Sequence, residues 1–449
     1  MFSRVLIANR GEIALRIMRA CRSLGIETVA VFSEADRTSL HVKYADKAIC
    51  IGPPPANRSY LNIFNIMSAA VVSDVDAIHP GYGFLAENDH FADICRQCQI
   101  EFIGPSADTM RSLGNKAEAR KLAQKIGVPV VPGSSSVLEK DEKALEIASE
   151  IGYPVMIKAA SGGGGRGMRM ARNDASLIQF ISAARREAEA SFGDPSVYLE
   201  KFITRARHIE VQIIADKYGN VVHLGDRDCT LQRRHQKLIE ESPSPAIDQS
   251  QRERICADAV KLVKAANYSN AGTVEFLLDL DTNEHHFIEV NPRVQVEHPV
   301  SEMVTGIDIV RNQLRVASNE RLPFSQDDIT FTGHAIEMRL NAEDPYNNFA
   351  PSPGKVTLHS KPQGTGIRVD THIFTGYNIP PNYDSLISKL IVHRETRNEA
   401  IELAKRLLDE YIIEGVKTTI PFYKSLLQSE QFRSGNYTTN FIDRNFLQL

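Results

Sequence analysis

Three stretches of this chain gather residue types that act on anions. In Lys158-Ala-Ala-Ser-Gly-Gly-Gly-Gly-Arg166-Gly167-Met168 a lysine closes an apolar run and is followed by four successive glycines and an arginine. Successive glycines cost backbone entropy and pack nothing, so their use is close approach of the backbone to a ligand. Amide N–H groups in such a loop can form a concave nest for phosphate, with Lys158 and Arg166 supplying charge. The spacing is not G-x-x-x-x-G-K-[ST], which excludes a Walker loop. A flexible linker is the competing account, but linkers seldom lie between two apolar strands with flanking cations.

The second stretch is a pair of strands holding Glu275 and Glu289-Val290-Asn291. Side chains at i and i+2 of a strand share a face, so Glu289 and Asn291 point the same way. If the connection folds symmetrically about Thr282, Glu275 lies opposite Glu289, and directly opposed like charges destabilise a sheet. A bound cation would remove the conflict. Oxygen-only ligands favour Mg²⁺ or Mn²⁺ over zinc, and few protein ligands leave positions for phosphate oxygens. Val274, Phe276, Ile288 and Val290 alternate with these residues, as in a two-faced sheet, although two glutamates on a solvated face would also fit and a one-residue slip would undo the pairing.

The third is dense charge in Arg227 to Lys237 and in Asn291 to His298. An extended Arg293, Gln295, Glu297 row would present a cation, an amide and a carboxylate on one face. Such a row could bind a small anion and deprotonate it: an arginine fork grips a planar oxyanion, and its charge keeps Glu297 ionised as base. A solvated loop is the plainer alternative. Cys95-Arg-Gln-Cys98 has redox or metal spacing but lies on an amphipathic helix without a second cysteine pair, so it reads as a helix face. His79-Pro-Gly-Tyr-Gly-Phe84 reads as a strand-to-helix turn.

The elements that must position these residues follow from periodicity. RVLIA, a helix through IALRIMRACRSLG, and TVAVF have the rhythm of a βαβ unit. DAIH and EFI continue it, with a helix over Ala86 to Gln99, so a parallel sheet with covering helices is expected over about the first hundred residues. Its first turn, Asn9 to Glu12, offers one glycine and no G-x-G-x-x-G, which argues against dinucleotide binding. Prolines near Val128 to Ser135 mark a break. A smaller α/β module runs from Val131 to Phe202; strands then predominate from His208 to Asp279, followed by the hairpin return HHFIEVN. The last third, from Gly333, mixes strands with a long helix, Arg397 to Tyr411.

The bulk properties agree with a large globular protein. At 449 residues the chain is long enough for about three domains. A net charge of −4 gives no global pull toward nucleic acid or anionic membrane. Arg4, Arg10 and Glu12 interrupt what a signal peptide would need, and no run of 18 apolar residues occurs. Six sparse cysteines suit a reducing compartment, so the expected location is cytoplasmic.

Taken together the motifs resemble the biotin carboxylase family of ATP-grasp enzymes, which includes the biotin carboxylase subunit of bacterial acetyl-CoA carboxylase. The likeness covers nearly the whole length: IANRGEIALRI, HPGYGFLAEN, FIGP, GNK ending at Lys116, KAASGGGGRGMR, DRDC with LQRRHQK, EVNPRVQVEHPVSEMVTG, RLNAEDP, PSPGK, YDSLISKLI and GVKTTI. The resemblance implies an α/β and α+β multidomain fold. An N-terminal Rossmann-like domain would span 1–114, an ATP-grasp region 115–317 with a mobile lid over 131–202, and a C-terminal mixed domain 333–440.

Carried over residue by residue, Lys116 and Lys158 contact ATP phosphates under a lid loop containing Gly164 and Gly165. Glu200, Lys201, Phe202 and Ile203 match the adenine hinge, and His208, Gln232 and His235 match further nucleotide contacts. Glu275, Glu289 and Asn291 match the ligands of two Mg²⁺ or Mn²⁺ ions; Lys237, Arg293, Gln295, Val296 and Glu297 match the bicarbonate site; Arg339 matches the arginine facing biotin. The implied reaction is ATP-dependent carboxylation of biotin through carboxyphosphate. The chain ends at Leu449 without a biotin-accepting Met-Lys-Met-like turn, so biotin is expected on a separate biotin carboxyl carrier protein, with carboxyltransferase subunits as further partners and a homodimer as the assembly. A two-subunit pyruvate carboxylase, an acyl-CoA carboxylase, and another carboxyphosphate-forming ATP-grasp ligase are the alternatives. Pro292 and Val294 stand where Thr and Leu are common, and Pro292 fits only if its position makes no ladder bond.

Overall fold

The computed structural model describes residues 1–446 apart from 135, 139–140 and 161–167, so Gly164, Gly165 and Arg166 lie outside the described residues. Strands β1 (Arg4–Ile7), β2 (Glu27–Phe32), β3 (Lys47–Cys50), β4 (Ala77–His79) and β5 (Glu101–Phe102) form one parallel sheet in the order β3-β2-β1-β4-β5. Both faces are covered: Val5 and Ile7 enter one apolar core, Leu6 and Ala8 another, which is why the strand reads as an unbroken apolar run. The helix expected over Ala86 to Gln99 begins later, at Asp89, because the Asn88 side chain accepts from the Phe91 N–H and sets the N-cap there.

A three-stranded antiparallel sheet follows, β6 (Val155–Ala159), β7 (Arg169–Ala171) and β8 (Val197–Lys201), in the order β7-β6-β8. Val155 and Ile157 bury against Leu177 and Ile181 of the helix Asp174–Phe192. With a side-chain period of two, Met156 and Lys158 are therefore delivered to the other face.

The largest sheet is antiparallel throughout. It contains β9 (Ala206–Ala215), β10 (Val221–Arg233), β11 (Gln236–Ser242), β12 (Asn270–Asp279), β13 (Glu284–Asn291), β14 (His334–Asn341), β15 (Ile367–Thr371) and β16 (Leu386–Arg394), in the order β13-β12-β9-β10-β11-β14-β16-β15. One sheet thus joins strands from both sides of the 317–333 interval. Ile209, Val211, Ile213, Val274 and Phe276 pack on the helix Gln249–Ala265, while Ile239, Met338 and Leu390 pack on the helix Arg397–Glu410. His208, Glu210, Gln212, Thr273 and Glu275, one residue out of phase with that apolar set, fall on the opposite face. Among the described residues no helix is long and apolar enough to cross a membrane.

Candidate active site

A cavity of about 1190 Å³ lies where the three sheets meet. Lys116, Lys158, Glu200, Lys201, Phe202, Ile203, His208, Gln232, His235, Lys237, Glu275, Glu289, Asn291, Arg293, Gln295, Val296 and Arg339 all line it, so these residues singled out in sequence converge on one space, while Glu297 is buried and is not part of its lining.

The metal-type residues are placed by strand register. Glu275 pairs directly with Glu289 and Thr273 with Asn291, as symmetrical folding about Thr282 requires. The register slips between Glu275 and Phe276, so the expected alternation fails at one residue: Ile288 does not join Val274, Phe276 and Val290 in the core but lines the cavity with Leu277. A bulge re-aims one side chain in this way. Pro292 follows the last residue of β13 and disturbs no ladder bond. The Asn291 amide donates to Glu275 at 2.8 Å, and Lys116 meets Glu289 at 2.7 Å. This all-oxygen donor set, opening on the cavity, fits a hard divalent cation. The nearby His208, Glu210 and Glu275 could also group round a metal, but the Lys237 ammonium already lies 2.5 Å from Glu210 and 3.0 Å from Glu275.

Lys237 is the centre of the charge network. Its ammonium donates to Glu210, Glu275 and, at 2.7 Å, Glu297. Burial opposes its charge, but the three carboxylates outweigh that and raise its pKa well above the ordinary value. Burial likewise pushes Glu297 upward, yet Lys237, Arg339 and Arg227 hold its carboxyl well below the usual range. Arg339 bridges Glu240 and Glu297 through bonds of 2.6 and 2.8 Å. Arg227, fully buried, fixes the floor by donating to Glu210, Gln212, Ser301 and Thr273.

The row expected at 293, 295 and 297 needs correction. The segment turns instead of extending, and Glu297 is the N-cap residue of the helix His298–Thr305, fully buried just behind Lys237 and Arg339. Arg293 does not pair with Glu297; it donates to Glu87 and, at 3.0 Å, to Gln295. The cations that contact the carboxylate come from β11 and β14. On the side of the cavity formed by β6 and β8, Glu200 receives both Lys158 (2.5 Å) and Arg120 (3.0 Å), and the Lys201 ammonium is engaged by the Gly152 and Tyr153 carbonyls. His208 lies 2.7 Å from Gln232 and 2.9 Å from Glu275, whose charge more than offsets burial and raises its pKa.

Sequence reasoning missed several participants. Glu210 was legible as the middle member of the His208, Glu210, Gln212 alternation. The His79–Phe84 turn does more than reverse the chain: Tyr82, Gly83 and Phe84 line the cavity, and Tyr82 donates to Glu12. Gly81 is required there, with φ +66° and a Cβ position only 2.9 Å from the Asn9 amide that holds the Pro80 and Tyr82 carbonyls. Glu12, Glu240 and Lys389 carried no local signal.

Comparison with known proteins fits this architecture. Residues 1–110 match the biotin carboxylase N-terminal domain, 115–325 the ATP binding domain of carbamoyl-phosphate synthase L chain, and 337–444 the biotin carboxylase C-terminal domain. Biotin carboxylase 1 of Bacillus subtilis is 54% identical, covering 99% of this chain and 98% of its own. A pyruvate carboxylase subunit of Methanothermobacter thermautotrophicus is 52% identical, with 99% and 90% covered. The biotin carboxylase domain dimer of Hydrogenobacter thermophilus 2-oxoglutarate carboxylase, solved with MgADP, ADP and bicarbonate, superposes with a TM-score of 0.96 at 49% identity, covering 99% and 98%. With an ATP-grasp domain between the two flanking domains and half its residues shared end to end with such enzymes, this chain belongs to the biotin carboxylase family and is a biotin carboxylase.

Proposed function

We propose that this enzyme carboxylates biotin borne by a separate biotin carboxyl carrier protein, as the first half-reaction of an acetyl-CoA carboxylase in fatty acid synthesis. The observation that carries the chemical reading is the Lys237, Glu297 and Arg339 cluster opening onto the same cavity as Lys116 and Lys158. Bicarbonate enters beside Lys237, Arg293, Gln295 and Val296. Its negative charge competes with Glu297 for Lys237 and Arg339, which frees the carboxylate to take the bicarbonate proton. The deprotonated oxygen attacks the γ-phosphorus of ATP, the bond to the β-phosphate oxygen breaks, and carboxyphosphate and ADP form. Lys116 and Lys158 hold the phosphate charge that develops, and the segment 131–202 excludes water as a lid. Mg²⁺ or Mn²⁺ held by Glu275, Glu289 and Asn291 would supply charge neutralisation on the phosphates. Loss of CO₂ from carboxyphosphate leaves phosphate to accept the biotin ureido N–H proton, while Arg339 stabilises the ureido oxygen as the nitrogen attacks CO₂.

The B. subtilis relative, a biotin carboxylase covered to 98% of its length, supports a chain that acts with a separate carrier; the Methanothermobacter relative supports a second reading, service to a two-subunit pyruvate carboxylase. The dimer in the Hydrogenobacter structure supports a homodimer here. The test is ADP release dependent on bicarbonate and free biotin, followed by assay with each carrier and acceptor. Glu297→Gln should lower ADP release by about 10² to 10⁴, the span of a lost general base. Unchanged turnover would remove Glu297 from this role, and carboxylation of pyruvate in place of acetyl-CoA would decide for the second reading.

A further inference from the structure

Behind the site lies a row of ionisable side chains of which the reaction above uses only Arg339. Glu240 on β11 is paired directly with Glu337 on β14, and Arg339, two residues on and sharing Glu337's face, is paired with Lys389 on β16. Glu240, Glu337 and Lys389 are all fully buried. Among the described residues neither oxygen of Glu337 has a hydrogen-bond partner, nor has the second oxygen of Glu240. Two carboxylates placed opposite each other without solvent cannot both ionise, so the pair holds a proton. Burial lifts Glu240 to about 7 against the pull of Arg339, whereas Glu337 has no arginine contact among the described residues, and the proton therefore resides on Glu337. Burial accordingly raises Glu337 well above the ordinary carboxyl range, against the pull of Lys389.

This arrangement fixes how Arg339 presents itself. Glu240 takes Nε, Nη2 is shared between Glu240 and Glu297, and Nη1 makes no hydrogen bond among the described residues although Arg339 lines the cavity. Without the Glu240 charge the guanidinium is free to close its fork on Glu297, the geometry arginine and carboxylate prefer. We propose that Glu240 is a positioning residue for biotin carboxylation, anchoring Arg339 so that Nη1 stays directed at the substrate, with Glu337 as the neutral partner behind it. The proposal rests on the reading of Arg339 as the group that meets the biotin ureido oxygen.

The test uses the full chain with Glu240→Gln, Glu337→Gln and Arg339→Ala, measuring bicarbonate-dependent ADP release without biotin, carboxybiotin formed per ADP with free biotin, and melting temperature. Glu240→Gln should lower carboxybiotin formed per ADP by about tenfold or more, the scale of one charge-assisted hydrogen bond. Glu337→Gln, which replaces a neutral acid by a neutral amide, should keep the wild-type ratio. If Arg339→Ala leaves the ratio intact, the underlying reading of Arg339 fails. If Arg339→Ala uncouples but Glu240→Gln does not, or if Glu240→Gln lowers ADP release and carboxylation in parallel, the positioning role is overturned. Uncoupling in Glu337→Gln would overturn the placement of the proton.

Discussion

Two buried ionic clusters border the same cavity and differ in stoichiometry. In one, the Arg10 guanidinium donates to both oxygens of Asp36, at 2.6 and 2.8 Å, and Asp36 also accepts from Tyr60 at 2.7 Å and Ser39 at 3.0 Å. The Tyr383 ring stacks 4.3 Å from the guanidinium. One cation meets one anion and both carboxylate oxygens are met. In the other, Lys237 faces three carboxylates and Arg339 is divided between two. A matched, saturated pair holds elements together; a cluster whose cations serve several carboxylates at once retains the capacity to exchange partners, which a reaction on anions requires. Burial alone does not separate a site from a structural bridge.

The widest gap between the two clusters should come from Lys237→Met. Leaving three carboxylates without their shared cation is expected to lower bicarbonate-dependent ADP release by about 10² to 10³, and a turnover within tenfold of wild type would erase the distinction. Asp36→Ala should do the reverse. It strands a buried arginine and costs about 3 to 5 kcal/mol of stability, read from denaturant unfolding, while turnover per folded molecule stays near wild type. A large fall in turnover without loss of stability would show the Arg10 cluster to be part of the chemistry.

Acidification sharpens the same contrast on a smaller scale. Burial holds His41 down to about 4 and His79 and His372 to about 3, so all three are neutral when folded. Between those values and the unfolded pKa near 6.5 the unfolded chain binds more protons, so their stability contribution is complete above about 6.5 and is lost as pH falls. At pH 5 each should cost about 2 kcal/mol. His208, raised by Glu275 in the Lys237 cluster, has the opposite sign and offsets part of this. Melting temperature should fall from pH 7.5 to 5; a flat profile would contradict the neutral assignment. The smallest effect belongs to Cys98→Ser. Cys95 is buried and Cys98 exposed on the rim of the helix Asp89–Gln97, so stability should move by less than about 0.5 kcal/mol and bound zinc should be absent in both forms.

Local pattern sufficed for much of this molecule. Period-two alternation places Lys158 opposite a packed apolar core and sets Glu275 against Glu289, and the apolar run Val5 to Ala8 announces a strand covered on both faces. Residue type at those positions, oxygen donors beside cations, carries the chemical class, because ligand preference belongs to the side chain and not to the fold.

What the tertiary structure alone decided is which charges meet. Lys237 to Glu210, and Arg339 to Glu240 and Glu297, are contacts between residues 27 to 99 positions apart, made by β9, β11, β14 and the N-cap of a helix. The turn at 293–297 and the bulge at Ile288 likewise depend on what packs beneath them. Coulombic partnership falls steeply with distance in space and is indifferent to distance along the chain, so the carboxylates and the cations they share became identifiable only once the eight strands were laid side by side.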